Sequence, residues 1–148
     1  MPHEKLFTLT NDCIVNMDYT TKNQVTEGIR IIVRSMFIPE QSNIAGKAFV
    51  FAYRITIRNE SDATVQLLQR HWDIVDGYGA ERSVDGEGVV GVQPVLPPNH
   101  QHTYVSGCVF PTPIGTMEGY YTMERLDDGT LIEVKIPKFL MEAPFLYN

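Results

Sequence analysis

Chemistry in this chain of 148 residues would have to come from a few short strings. "GEGVVG", Gly86 to Gly91, has the glycine spacing of a dinucleotide-binding loop. A loop of that kind needs a strand before it and a helix after it, so that the pyrophosphate rests on the unpaired amides of the helix N-terminus. Here "VQPVLPPNH" follows, and Pro94, Pro97 and Pro98 forbid a continuing helix. Asp85 and Glu87 also put two negative charges beside the anion unless Arg82 or a strand arginine balances them. The preferred reading is a structural turn. The alternative is an anion nest of glycine amides for pyrophosphate or a nucleotide, built on Gly86, Gly88 and Gly91 with Arg82 as its cation.

A second string, "HQH", places His100 and His102 two residues apart. On a strand they share one face, which suits metal ligation, with His71 or a carboxylate as a third ligand. Nothing in the sequence brings that third group near, so an exposed loop edge is the default and no cofactor is expected. In "QRHWDI", Trp72 is the sole tryptophan and reads as core, while a ligand platform flanked by Arg70 and His71 is the sharper alternative. Arg54, Arg58 and Arg70 could share a sheet face as a small cationic patch. The plainer reading of that face is a solvated one interspersed with acids. Nucleophile elbows and H-E-x-x-H helices are absent, and neither Cys13 nor Cys108 has a sequence-local histidine in a known signature. The chain therefore does not read as an enzyme.

What positions these groups is a series of strands. "FVFAYRITIRN", Phe49 to Asn59, alternates with period two and places Phe49, Phe51, Tyr53, Ile55 and Ile57 on one face. Further strands are expected at 27–38, 63–77, 103–110, 115–126 and 130–139. "NESDA" supplies turn chemistry after Asn59, and "DDG" joins the last two strands as a hairpin. No proline lies between Gln41 and Gln93, where the clearest strand patterns run. Short strands at close spacing without an amphipathic helix imply a single-domain, all-β antiparallel sandwich of the immunoglobulin or fibronectin kind. Residues 1–24 are more polar and read as an N-terminal extension before a sandwich domain at 25–148. "LFTLT" is a candidate edge strand within it, and Met17 is an alternative start.

Twelve basic and eighteen acidic residues leave a net charge of −6. That balance argues against nucleic acid as a partner, because such binding rests on neutralising phosphates. No apolar run approaches the length of a membrane span, and the first residues lack a signal peptide's pattern. A cytoplasmic protein with two free thiols is the expectation.

Several strings together resemble one family. "FVFAYRITIRN", "VQLLQRHWDIVDG", "GEGVVGVQPVLPP", "YVSG", "GTMEGYYTM" and "IPKFLMEAP" occur in order, and they are similar to the bacterial ApaG family from about Val25 to Asn148. The resemblance implies a fibronectin-III-like sandwich and makes Gly86, Gly88 and Gly91 a family motif that has prompted the idea of pyrophosphate or nucleotide binding. It implies no established enzymatic activity. It carries an association with cobalt resistance, magnesium efflux and genes for diadenosine tetraphosphate hydrolysis. Similar domains occur in eukaryotic F-box proteins and in a polymerase-delta-interacting protein, where binding to other proteins is the role implied. Two functions follow as expectations: a non-catalytic module that binds a protein partner, and a small-anion binder at the glycine loop.

Overall fold

Alternation of buried and exposed residues organises most of the chain. The computed structural model of the protein describes residues 19–144. In chain order the strands are β1 (Tyr19–Thr26), β2 (Ile29–Phe37), β3 (Phe49–Asn59), β4 (Val65–Asp76) and β5 (Glu81–Glu87). They continue with β6 (Val95–Leu96), β7 (Gln101–Phe110), β8 (Ile114–Arg125) and β9 (Leu131–Glu142). A 3-10 turn, Pro39–Gln41, lies between β2 and β3. Among the described residues no helix is long and apolar enough to cross a membrane.

The strands form two antiparallel sheets. One has the order β1-β2-β3-β7 and the other β5-β4-β8-β9, with β6 also pairing with β4. This is the expected all-β sandwich. Residues Ile29, Ile31, Val33, Tyr53, Ile55 and Ile57 of the first sheet face inward. They meet Trp72, Ile74, Met117, Tyr121, Val134 and Phe139 of the second. Trp72 is fully buried, with Tyr53 and Phe139 rings 5.5 and 5.9 Å away in edge-on contact. The tryptophan is core and not a ligand platform.

The turn at "NESDA" carries the chain from one sheet to the other. Asn59 is buried, and its amide nitrogen donates to the Ala63 and Leu96 carbonyls, both at 2.8 Å. Its oxygen accepts from the Ser61 amide at 2.9 Å and from the Ser61 hydroxyl at 2.6 Å. A side chain so fully satisfied can be buried without penalty, and it ties β3, β6 and the turn before β4 together.

The sandwich takes in Tyr19–Thr26 as β1, so residues 19–24 of the expected extension pair with β2. The "LFTLT" strand, Met17 and Cys13 lie outside the described residues.

Candidate functional site

The glycine motif lies where β5 leaves the sheet and β6 rejoins it. β4 carries a bulge between Leu67 and Gln69, so Leu68 has no partner on β8. The Leu68 carbonyl instead accepts from the Gly88 amide and from the Gln93 side chain, both at 2.9 Å. Leu67 donates its amide to the Pro94 carbonyl at 3.1 Å, which starts the short β6 pairing. The loop therefore spans a local fault in its neighbour strand.

Each motif glycine has its own physical cause. Gly86 pairs with Arg70, and a Cβ there would stand 2.6 Å from the Arg70 guanidinium. That guanidinium donates to the carbonyls of Glu87 and Gly88, each at 3.0 Å. Gly88 has φ +62°, and its Cβ would meet the Val92 carbonyl oxygen at 2.2 Å. Val89 and Val92 exchange backbone hydrogen bonds of 2.8 and 3.1 Å around Val90 (φ +48°) and Gly91 (φ +78°). Positive φ at both central residues defines a type I′ hairpin turn, which favours glycine at the second. The turn buries Val89 and turns Val90 and Val92 outward.

The structure does not bring Arg82 to this loop. Arg82 pairs with Ile74, donates to the Cys108 sulfur at 3.3 Å and lies 5.9 Å from the Phe110 ring centre, between the sheets. The cation beside the glycines is Arg70. The amides of Gly88, Val89 and Val92 are directed at Leu68 and at one another. The cationic patch, the alternative to a solvated face, is divided between the sheets. Arg54 and Arg58 lie on the outer face of β3, whereas Arg70 belongs to the other sheet and packs on Gly86.

Of the histidines, His102 is the second residue of β7, and its ring stacks on Tyr104 with centres 6.3 Å apart. Burial pushes its pKa down. His100 precedes the strand, and its carbonyl accepts from the Asn59 amide at 3.0 Å. Among the described residues no three His, Cys, Asp or Glu side chains are placed to hold a metal ion.

His71 is more tightly engaged than its sequence context suggests. Its Nδ1 bonds Asp85 at 2.6 Å and its Nε2 bonds Asp73 at 3.1 Å, while its ring stacks on Tyr120. The Ser83 hydroxyl also donates to Asp73. The hydrogen bond to Asp85 is the main cause that raises the His71 pKa, against a lowering by burial. With a carboxylate at each nitrogen, the imidazolium donates twice and is stabilised. Asp73 is legible from the H-x-D spacing, because alternate residues share a face. Asp85 comes opposite His71 only through the β4–β5 register.

The fold agrees with what the chain is similar to. The model of the ApaG domain matches residues 39–125. Protein ApaG of Methylobacterium nodulans is 47% identical over 121 residues, which span 82% of this chain and 92% of that protein. Protein ApaG of Escherichia coli O1:K1 is 46% identical over 118 residues, 80% of this chain and 94% of that protein. A crystal structure from Bordetella pertussis, described as an ApaA protein, superposes with a TM-score of 0.76 at 41% identity, covering 78% of this chain and 94% of that one. With a matching domain model over more than half its length and relatives this similar, the chain belongs to the ApaG family.

Proposed function

We propose that this chain is a cytoplasmic, non-catalytic binding module that mediates protein–protein interaction, with the turn at Val89–Val92 in the contact surface. One observation carries the reading: the conformation of Val90. A β-branched residue at positive φ is an outlier that costs about 1–3 kcal/mol and persists only where the surroundings impose it. Here the strained residue is not core. Val90 and Val92 are 36% and 45% exposed on one turn held by a rigid sheet, and Val95 of the adjoining β6 is 49% exposed. Glycine at position 90 would remove the strain, so displaying an apolar side chain there is what the strain maintains. Loops carried on rigid scaffolds, and apolar groups clustered on a surface, are where partners bind. The family's association with cobalt resistance and magnesium efflux enters as part of the same proposal, the module acting in those processes through its partner.

A photo-cross-linking residue at position 92 tests this in cells. The expected result is one defined protein adduct whose purified partner binds the chain directly. That binding is expected to weaken by about tenfold or more, or roughly 1.4 kcal/mol, when Val90 and Val92 are both changed to Ser. No adduct, or equal affinity in the double variant, overturns the proposal.

A further inference from the structure

We infer that the free edge of β5, Glu81–Glu87, takes up an extended segment of a partner protein in which basic and apolar residues alternate. This rests on the reading of the chain as a protein-binding module, and it names the chemistry of the segment bound.

A strand at the border of a sheet keeps backbone donors and acceptors that no neighbour strand satisfies. The two sheets end on β1, β7, β5 and β9. β1 packs beside β9, where the Thr26 hydroxyl oxygen accepts from the Lys135 amide at 3.3 Å. β9 also carries Pro137, and its register with β8 shifts between Met117 and Gly119. On β7 even Gly107, which is all backbone, is buried. β5 has none of these protections. It contains neither Pro nor Lys, and it pairs with β4 in an unbroken register from Glu81 to Glu87.

The register also says which groups are free. Antiparallel neighbours exchange hydrogen bonds at alternate residues only. The Asp76 amide donates to the Ala80 carbonyl at 3.1 Å, and the Gly88 amide donates to the Leu68 carbonyl at 2.9 Å, one pair beyond each end of β5. Between them, Arg82, Val84 and Gly86 therefore turn their amides and carbonyls toward β4. Glu81, Ser83, Asp85 and Glu87 turn theirs to the open side. The Glu87 carbonyl accepts from Arg70 at 3.0 Å. Among the described residues nothing bonds the amides or carbonyls of Glu81, Ser83 and Asp85.

Side chains set the chemistry of the strand that fits. Glu81, Ser83, Asp85 and Glu87 are exposed on the outer face. Asp73 lies opposite Ser83, and Glu118 lies opposite Asp73, so the acidic face continues across β4 and β8. Asp85 bonds His71, whereas Glu81 and Glu87 have no ion pair among the described residues. An added strand sets every second residue directly across from this row, where opposite charges attract and like charges repel. Its other residues fall beside Val84, which packs against the core and favours apolar neighbours. Backbone bonds then hold the segment, and its alternate side chains select it. A second copy of this chain is the wrong occupant. A twofold axis at Val84 sets Glu81 opposite Glu87, and an axis at Ser83 sets Glu81 opposite Asp85.

Amide NMR and hydrogen exchange on the full chain test the edge at low ionic strength, with a capped nine-residue peptide of alternating lysine and valine as the probe. The expected result is saturable shifts over Glu81–Glu87. The amides of Glu81, Ser83 and Asp85 are expected to gain about tenfold in protection, while those of Arg82, Val84 and Gly86 change little. Affinity is expected to fall by about tenfold when glutamate replaces lysine in the peptide, and also in the variant Glu81→Lys, Glu87→Lys. Two further peptides leave the protein untouched, one N-methylated at its lysines and one at its valines. A strand presents alternate amides to one edge, so one of these is expected to lose about tenfold in affinity and the other to keep it. Equal affinity of the two, equal binding of the glutamate peptide, shifts away from β5, or a dimer of the chain formed through this edge overturns the inference. Peptide binding is read on β5 and the cross-linked adduct at position 92, so the two proposals fail separately.

Discussion

A β-carbon shows what the glycine motif is for at the scale of single residues. At Gly88 it would meet the Val92 carbonyl, on a backbone whose φ is already positive. Gly88→Ala is expected to destabilise the fold by about 2 kcal/mol or more, read as a lowered midpoint in urea unfolding. The two described histidines with shifted pKa values predict a pH profile. His71 is held above 6.5, chiefly by Asp85, so its protonated form stabilises the fold. That stability is fully present below pH 6.5 and is lost as pH rises through the raised value. Burial holds His102 below 6.5, so its neutral form is favoured; its stability is present above 6.5 and is lost as pH falls through the lowered value. The two effects occupy adjoining windows on either side of 6.5. Thermal melts across pH are therefore expected to decline on both sides. His71→Gln should flatten only the alkaline decline, and His102→Gln only the acid one.

Among the elements, the crossing from β3 to β4 depends on Asn59. Asn59→Leu would remove the side chain that bonds the Leu96 carbonyl and the Ser61 amide, and would leave the Ala63 carbonyl with the Ser61 hydroxyl alone. The expected cost is about 3 kcal/mol, measured by chemical denaturation. Which strands were legible has a physical reason. Six of the nine could be read from sequence, because one face of each meets the core and forces alternation. β3 is the clearest, with bounds Phe49–Asn59 as read. The sequence hides β1, "YTTKNQVT", because it is a polar strand at the sheet edge, held by its ladder with β2. It also hides β5, "ERSVDGE", where no residue is buried and only the register with β4 defines the strand. β6 is two residues long and exists because the Leu67 amide reaches the Pro94 carbonyl.

For the whole molecule, the sheets are closed by long pairings between strands far apart in sequence, β3 with β7 and β4 with β8. Non-local pairing must overcome loop-closure entropy before contacts form, so refolding is expected in roughly milliseconds to seconds rather than microseconds. Trp72, the sole and fully buried tryptophan, reports it in stopped-flow fluorescence, and a microsecond rate would contradict the prediction. Charge is also arranged at this scale, with Arg30, Arg34, Arg54 and Arg58 on the outer face of one sheet and Asp73, Asp85, Glu118 and Glu133 on that of the other. Composition shows only the net −6, because a sum over residues holds no direction. The sequence by itself determined the all-β class, the core strands, the buried Trp72 and the family. Each of these rests on local alternation or on strings that match in order. Tertiary structure alone decided that Arg70, not Arg82, stands beside the glycines. It also decided that Asp85 clamps His71 and that Arg34 faces Arg54. These are matters of register, and register is set by turns, bulges and neighbouring strands across the sheet. A single strand's pattern names the face a residue occupies, and only the assembled sheet names its neighbour.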